Sequence, residues 1–449
     1  MSKASRNRVI YQNEFLYTSL DATGYHFENK TTSDPDCVLR NVLPDNCSGN
    51  LVTQLHRIQA INYTVNTNYI NVNQYGQLAR VGGVSATNPD ITLDFEYFLA
   101  DGYNEQAVGF VTDGSTQALF NHMVTDGRFG QNFFISTAPE GHNIVNSNLD
   151  KFRRVNRSRF KNGTLQLPFQ FKNIDSDITT LGIGNAFLSQ YAVTAEVGSL
   201  PKARLSYDAF NVAVYKDFCN LPIPAVQPIN SQCDRDIRFS LPDTYESFVY
   251  SKLKGMEDIA LQDGVPGIRP NDISISLGDI GLISQQLNTQ SDYGIGSAHI
   301  QGFTINIPIG TTKVNRLGNS YSFTRLLNFP TRITIEVTAF VSELKKIHSA
   351  IQDMCSKVPK DIILELYDCR GVSECNGSIE ASATNMKYVI KGALLESEGF
   401  SLDISNSKSV SMTLHATVSG PEDLDQGFFI YGKSNMPRRP QILSWGQHL

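Results

Sequence analysis

The sequence is poor in charge, and the charge that it has is mildly acidic. Only 18 % of its 449 residues are Asp, Glu, Lys or Arg, and the formal net charge is −6. Holding nucleic acid by its phosphates requires a basic surface, so the overall composition does not predict a nucleic-acid-binding protein. One local exception is the basic segment 151–161, which has six basic residues in eleven and no acid. It is interpreted as a segment that binds DNA, as a solvated loop, or as a contact with an acidic neighbour.

Motifs for catalysis and cofactor binding are also absent from the sequence. It contains no Gly-Lys-Ser/Thr phosphate loop, no His-Glu-x-x-His pair and no Gly-x-Ser-x-Gly elbow. The Gly-Ile-Gly stretches at 182–184 and 294–296 lack the third glycine of the dinucleotide fingerprint, and a strand pattern rather than a helix pattern follows each. We therefore predict a protein that is not an enzyme and that uses no cofactor.

The cysteines and the hydrophobic runs exclude further classes. The seven cysteines stand at 37, 47, 219, 233, 355, 369 and 375, and no pair has the short spacing of a zinc ligand set. The first six residues contain no apolar run, so no signal peptide is expected. No stretch approaches the roughly 18 apolar residues of a membrane span. We expect no metal site, no membrane binding and synthesis in a reducing cytoplasm.

What the sequence does contain is an internal repeat. Residues 58–100 match the residues 242 positions later without a gap. The identical pairs at this offset are Ile58/Ile300, Gln59/Gln301, Asn73/Asn315, Gly76/Gly318, Ile91/Ile333, Thr92/Thr334 and Phe98/Phe340. A constant offset over so long a stretch predicts two copies of one domain.

Each copy of the repeat predicts a pair of β-strands around a long loop. Odd positions in 61–69 and 91–99 are mostly apolar while even positions are polar, and 303–309 and 333–341 repeat the pattern. Such alternation puts one set of side chains on a core and the other in water. The connecting segments, Val72 to Pro89 and Val314 to Pro330, are too long and polar for tight turns, so we predict protruding loops.

The rest of the chain follows the same plan in both copies. Ser115 resembles a helix cap before a face of Ala118, Leu119, His122 and Met123, and Ser342 begins a second helix that runs to about Ser356. The predicted fold is mainly β, with two tandem copies of a β-sandwich or half-barrel domain, each flanked by an α-helix. The predicted boundaries are 1–50 (N-terminal arm), 51–222 (domain 1, with an insertion at 140–180) and 223–449 (domain 2, with a C-terminal arm from about 419).

The repeated motif resembles the tail-tube proteins of long-tailed bacteriophages. The resemblance covers roughly residues 60–449 and rests on three features: the loops at 72–89 and 314–330, the helix after the second strand, and the closing hairpins at 186–215 and 388–418. In addition, 11–17 and 21–26 are similar to the N-termini of virion structural proteins of large phages. In that family six domains form a ring whose inner strands close a β-barrel around a channel, which implies that three chains of this type form one ring.

The resemblance implies a structural virion protein. Its rings would stack into a tail tube through which double-stranded DNA passes without specific binding, and its other partners would be phage tail proteins. The protein would be made in the bacterial host cytoplasm and reside in the virion. Two alternatives stay open from the sequence: another virion ring or decoration protein (collar, baseplate or capsid-associated), and a carbohydrate-binding receptor module.

The resemblance also assigns candidate roles to residues of the repeat. If the odd positions face the core, the even positions line the channel: Asn62, Thr64, Thr92, Asp94, Glu96, Thr304, Asn306, Thr334, Glu336 and Thr338. We expect this face to hold no lysine or arginine; the opposite assignment, in which these residues face outer solvent, stays open. The equivalent Asp94 and Glu336 are interpreted either as a carboxylate ring in the assembly or as part of a solvated strand face. Loop residues expected to contact the next ring are Asn73, Gly76, Asn315 and Gly318.

Overall fold

A computed structural model describes residues 14–20, 52–67, 69–76, 81–85, 90–123, 130–137, 179–215, 221–222, 224, 238–239, 268, 273–277, 298–314, 324–341, 359–367, 384–402 and 408–432. Several expectations from the sequence lie outside these residues. They are the basic segment 151–161, nearly all of the insertion 140–180, the helix expected at 342–356, and the loop residues Asn315 and Gly318.

Most of the described residues lie in strands, which confirms the mainly β prediction. In the first half the elements are β1 (Glu14–Leu20), β2 (Val52–Gln54), β3 (Ile58–Asn66), β4 (Tyr69–Val72), β5 (Gly82–Ser85), β6 (Asp90–Phe98), α1 (Tyr103–Ala107), α2 (Phe120–Met123), β7 (Gln131–Thr137), β8 (Thr179–Glu196), β9 (Lys202–Ala209) and β10 (Asn211–Tyr215). In the rest of the chain they are β11 (Leu221–Pro222), β12 (Arg238–Phe239), β13 (Ile273–Ser276), β14 (Ala298–Pro308), β15 (Thr311–Val314), β16 (Thr324–Leu327), β17 (Thr331–Val341), β18 (Lys360–Tyr367), β19 (Thr384–Leu402), β20 (Lys408–Val418) and β21 (Gly427–Gly432).

A continuous eight-stranded antiparallel sheet organises the molecule. Its order is β3-β6-β9-β8-β14-β17-β20-β19, so the first four strands come from the first half of the chain and the last four from the second half. Along β6 and along residues 331–340 of β17 the odd-numbered side chains are buried and the even-numbered ones are half-buried or exposed. The period-2 pattern of the sequence therefore corresponds to one core face and one polar face.

Shorter strands pack over the core face of this sheet. The long strands β8 and β19 supply the connection, because their N-terminal parts leave the eight-stranded sheet and pair with β7 and β10, and with β18 and β21, respectively. Strands β1 and β13 extend these second layers by pairing with β7 and β18. Aromatic rings join the two layers in the first half: the Phe133 ring of β7 lies 5.7 Å from Phe95 of β6 and 4.7 Å from Tyr207 of β9.

The strand pairing has the same order and register in the two halves. In β3·β6 Asn62 lies opposite Asp94, and 242 residues later Thr304 lies opposite Glu336 in β14·β17. In β8·β9 Gln190 lies opposite Ser206, and 207 residues later Ser397 lies opposite Thr413 in β19·β20. The pairing of β7 with β8 has the same register as the pairing of β18 with β19. The pairing of β10 with β8 likewise matches that of β21 with β19.

Irregularities of the strands recur at matching positions too. The bulge that separates Ile58 from Ala60 recurs between Ile300 and Gly302. At each bulge the side chain of the extra glutamine bonds the carbonyl oxygen two residues earlier, Gln59 to Arg57 at 3.0 Å and Gln301 to His299 at 3.2 Å. The two halves therefore share the position of this bulge and its glutamine hydrogen bond, as well as the register of the strands.

The first flanking helix differs from the prediction. Ser115 caps no helix, because its backbone N–H and hydroxyl both bond Asp113 Oδ1 (2.9 and 2.7 Å). The helices of this segment are the five-residue α1, which precedes Ser115, and the four-residue α2. Ala118 and Leu119 are buried because they pack in the core next to β21, where Ala118 N–H bonds the Phe428 carbonyl, rather than because they share a helical face.

Two further segments are more regular than the sequence predicts. The loops after β3 and β14 each contain a small hairpin, β4·β5 and β15·β16, in the same register. Residues 427–432, expected in a C-terminal arm, instead form strand β21 on β19. The two strands of each hairpin are short and separated by loop residues, and β21 pairs with a strand that is distant in sequence. Local periodicity therefore reveals neither feature.

Candidate assembly surface

All ten predicted channel-lining residues lie on the polar face of the eight-stranded sheet. None of them is buried: Asn62, Thr64, Thr92, Glu336 and Thr338 are exposed, and the others are half-buried. The structure brings them together as two groups, one on β3·β6 and one on β14·β17, with β9 and β8 in between. Asp94 and Glu336 therefore lie four strands apart, on the order of 19 Å at the usual strand spacing, and do not form a pair within one chain.

The expectation that this face holds no lysine or arginine is wrong. Strand β9 places Lys202 opposite Phe98 and Arg204 opposite Glu96, and Arg332 lies on the same face of β17. The sequence argument considered only the repeated strands, and β9 joins the face through a pairing that the repeat does not reveal.

Each of these three basic side chains lies in an ion pair with a carboxylate of the same face. Lys202 Nζ lies 2.7 Å from Glu96 Oε1, Arg204 contacts Asp94 at 3.7 Å, and Arg332 bonds Glu396. Ser206 Oγ also donates to Asp94. With these cations paired, the exposed carboxylates of Glu196 and Glu336 keep the face acidic.

The junction between the two halves, β8·β14, is a fully packed strand pair. On its core face Phe303 lies opposite Ala195, and Ile305 lies opposite Val193. Ile305 and Val193 are 0 % exposed. On its polar face Gln190 Nε2 donates to Asn306 Oδ1 at 2.6 Å.

By contrast, the outer strands of the eight-stranded sheet leave apolar side chains in water. In the described part of the chain β3 pairs only with β6, and residues 394–402 of β19 pair only with β20. On the core face of these edges Tyr63 is 51 %, Val65 41 % and Phe400 45 % exposed. An unpaired edge with exposed apolar residues is a template for pairing with another chain.

The two loop hairpins differ in what they contact. Lys313 of β15 reaches across the β8·β14 junction, where its Nζ lies 2.6 Å from Asp90 Oδ1 and 5.8 Å from the centre of the Phe210 ring. The hairpin β4·β5, in which the exposed residues Asn73 and Gly76 follow β4, instead presents apolar side chains to solvent. They are Tyr69 (67 % exposed), Ile70 (58 %), Val72 (45 %) and Val84 (59 %).

A buried carboxyl lies where the two halves meet. Glu105 of α1 is 2 % exposed and accepts hydrogen bonds from Tyr97 (2.7 Å) and Tyr191 (3.3 Å). Burial raises the pKa of Glu105 to about 7, while the donated hydrogen bonds act in the opposite direction. Burial also raises the pKa of Tyr97 and of Tyr191 well above the ordinary value, so both hydroxyls remain donors at neutral pH.

The segment after α1 fastens the first half to β21 of the second half. Gln117 is 1 % exposed, and its Oε1 accepts the Phe428 N–H at 2.9 Å. Its Nε2 donates to the carbonyls of Asp423 and Gln426. One side chain thus satisfies backbone groups some 300 positions away in sequence, which no local pattern in the sequence indicates.

Sites for other chemistry are not seen in the described ranges. There, no group of three or more His, Cys, Asp or Glu side chains is arranged to hold a metal ion. Among the helices that the structure describes, none has the length and apolar character needed to cross a membrane.

Comparison of the sequence with protein-family models and with curated proteins gives no significant match. Similar solved structures include the tube terminating cap of the anti-feeding prophage (14 % identity, 37 % of this chain and 91 % of that chain, TM-score 0.23). They also include the sheath–tube complex of an extracellular contractile injection system in its extended state (15 %, 40 % and 98 %, TM-score 0.23) and an Hcp protein (10 %, 36 % and 96 %, TM-score 0.18).

Proposed function

We propose that this protein is a structural subunit whose copies join through the edges of their eight-stranded sheets into a ring around a channel. One observation carries the proposal. The open edges on β3 and β19 are the counterparts of β14 and β8, which already pair with each other inside the chain. A chain that joins its own halves in this way offers the same two surfaces to further copies, and head-to-tail repetition of one interface generates a closed ring when the rotation between copies closes.

Internal duplication underlies this proposal. The shared strand order, register and bulges support two copies of one domain, at about 51–222 and 223–449, rather than two unrelated β-domains. Strand β21 then belongs to the second domain and not to a C-terminal arm. A duplicated domain gives a ring with twice as many pseudo-equivalent units as chains.

Three chains per ring is the stoichiometry that we propose. Three eight-stranded sheets supply 24 strands, and a closed barrel of that size, at a strand spacing of about 4.8 Å and a tilt of about 36–45°, has a backbone diameter of about 45–52 Å. Barrels with far fewer strands already leave an aqueous channel. Closure also removes both unpaired sheet edges of every chain.

The polar face of the sheet is the one that we assign to the channel. It carries amides, hydroxyls, ion-paired cations and an excess of carboxylates, with Glu196 and Glu336 exposed. Such a lining hydrates passing DNA and repels its phosphates weakly, since it offers few unpaired cations to bind them. We therefore propose a tail-tube role in a phage virion, with double-stranded DNA passing through and other tail proteins as neighbours.

The loop hairpins are proposed to connect subunits. Contact of Lys313 with Asp90 across the β8·β14 junction supports the idea that a hairpin of this type reaches over a neighbouring domain. The β4·β5 hairpin, with its exposed Tyr69 and Ile70, is then positioned to contact a neighbouring copy in the same ring or in the next one.

Electron microscopy of the purified full-length protein tests the proposal. The expected result is rings or tubes with a central channel and a ring mass of three chains. Tyr63→Lys should yield folded monomers because it puts a charge on the core side of the open edge, whereas Val214→Lys, at a 67 % exposed position of β10 away from β3 and β19, should assemble normally. Rings of six whole chains would overturn the stoichiometry. Monomers retained on a glycan column would favour a carbohydrate-binding module instead.

A further inference from the structure

The β8·β14 junction is a template for the contact between copies, because both of its strands have counterparts at the open edges. The counterpart of a residue in β14 lies 242 positions earlier, in β3, and the counterpart of a residue in β8 lies 207 positions later, in β19. Within the junction Thr304 lies opposite Thr194, Ile305 opposite Val193, and Asn306 opposite Ala192. Replacing each residue of these pairs by its counterpart in β3 or β19 predicts the register in which the two open edges would pair.

We infer that β3 of one copy pairs with β19 of the next copy so that Asn62 lies opposite Ser401, Tyr63 opposite Phe400, and Thr64 opposite Gly399. This inference rests on the proposed ring, and it adds the partner strand, the direction and the register of its seam. The partner is a second copy of this chain, since β19 of the same chain lies at the far edge of the eight-stranded sheet.

Exposure of the side chains supports this register. Tyr63 and Phe400 are 51 % and 45 % exposed, whereas their counterparts Ile305 and Val193 are 0 % exposed. Both side chains project on the core face of the sheet, because Tyr63 lies opposite the buried Leu93 and Phe400 opposite the buried Val410. Facing each other across the seam, the two rings would form an aromatic cross-strand pair that continues the core from one copy to the next.

The alternation of hydrogen bonds along the junction identifies the pairs that suit a disulfide test. Val197 N–H bonds the Gln301 carbonyl (2.9 Å) and Ile309 N–H bonds the Ser189 carbonyl (2.8 Å), so odd-numbered residues form the hydrogen-bonded pairs. Thr304 and Thr194 are therefore a non-hydrogen-bonded pair, and so are their counterparts Asn62 and Ser401 at the seam. The Cα atoms of such pairs lie about 4.5 Å apart, within the range that a disulfide spans.

The register is tested with the double variant Asn62→Cys/Ser401→Cys of the full-length chain, assembled and then mildly oxidised. The expected result on a non-reducing gel is covalent dimers and trimers, well above the level given by the wild-type chain with its seven cysteines. The matched control is Asn62→Cys/Ser397→Cys, which shares the face and the edge but is displaced by four residues, and it should give only the wild-type level. Mixing the single variants Asn62→Cys and Ser401→Cys should give dimers and no trimers.

The outcomes separate this inference from the proposed function. Rings that form normally but cross-link through the Ser397 control rather than through Ser401 would overturn the register and leave the ring standing. Rings in which neither pair cross-links would show that the seam is not β3 on β19. Protein that never forms rings, for the wild type and both double variants alike, would overturn the proposed function itself.

Discussion

The hydroxyl of Tyr191 lies 2.8 Å from the hydroxyl of Tyr388, which joins the two halves of the chain inside the core. Tyr191 belongs to β8 and also bonds Glu105, so a single buried network connects α1, β8 and β19. Fully bonded polar networks favour one arrangement of a core over others. The network therefore favours one arrangement of the second half against the first.

Stability should depend on pH through Glu105. Its pKa is raised to about 7 in the folded protein by burial, so the protonated carboxyl is favoured, and this stabilisation is present below the unfolded value of 4.5 and lost as the pH rises to about 7. The loss amounts to about 3 kcal/mol for a shift of this size. Glu105→Gln should therefore become more stable relative to the wild type by up to that amount between pH 4.5 and 7.5. Urea unfolding of the two proteins at each pH, in the monomeric Tyr63→Lys background, measures the difference.

His122 also contributes to this pH profile, with the opposite sign, because its pKa is shifted in the opposite direction to that of Glu105. Burial lowers its pKa to about 4, so the stability that it contributes is present above pH 6.5 and is lost as the pH falls towards 4. The absolute stability of the wild type combines both groups, and only the difference between Glu105→Gln and the wild type isolates the carboxyl. A difference that does not change with pH would show that Glu105 keeps an ordinary pKa.

The sequence predicted the strands of the repeat well because burial on one face of a sheet imposes a period of two. The alternation of Ile91, Leu93 and Phe95 with polar residues marked β6, and the even positions proved to share the polar face. The same reasoning failed for Lys202 and Arg204, since membership of a face depends on which strands pair. Pairing of β8 with β14 depends on contacts far apart in sequence, which periodicity cannot supply.

The candidate site contains residues that sequence reasoning missed for a related reason. Glu105 lies in a helix of five residues, too short to show an amphipathic period, and Gln117 acts through backbone groups of β21 and of the turn before it. The period-2 pattern places Tyr63 and Phe400 on the core face of their strands, and only the order of the strands in the sheet shows that both lie at open edges. Comparing the exposure of equivalent residues in the two halves provides the signal, and that comparison requires the structure.

Replacing Gln117 should destabilise the fold strongly. Gln117→Ala removes the acceptor of the buried Phe428 N–H and the donor to two carbonyls, so we expect a loss of about 2–4 kcal/mol in the free energy of unfolding. The matched substitution Gln190→Ala breaks one bond to Asn306 on the half-buried polar face and should cost less than about 1.5 kcal/mol. Chemical denaturation in the Tyr63→Lys background compares the two. Equal losses would show that Gln117 does not fasten the halves.

Shortening the β4·β5 hairpin should block polymerisation without unfolding the chain. Its apolar side chains are largely exposed, so replacing residues 69–85 by Gly-Ser-Gly removes little packing from the chain's own core. We expect a folded chain by circular dichroism and no long tubes by electron microscopy. A second variant, with Tyr69, Ile70 and Val72 changed to Ser, keeps the hairpin and tests whether the apolar contacts alone are required. Tubes of normal length from the shortened chain would refute a role in assembly.

The charge of the polar face should decide whether rings hold DNA. If this face lines the channel, wild-type rings present paired cations and exposed carboxylates and should retain no double-stranded DNA above background. Changing Glu336 and Thr338 to Lys removes one carboxylate and adds two cations at exposed positions of β17, and each phosphate that they neutralise should add about −0.9 to the slope of log K against log salt. The control carries the same two lysines at Val214 and Leu424, which are 67 % and 49 % exposed and lie outside the eight-stranded sheet. Filter binding over a range of salt concentrations distinguishes the cases. Salt-dependent retention by wild-type rings would contradict the conduit, and equal retention by the control would contradict the assignment of this face to the channel, because lysines on any surface would then be equally effective.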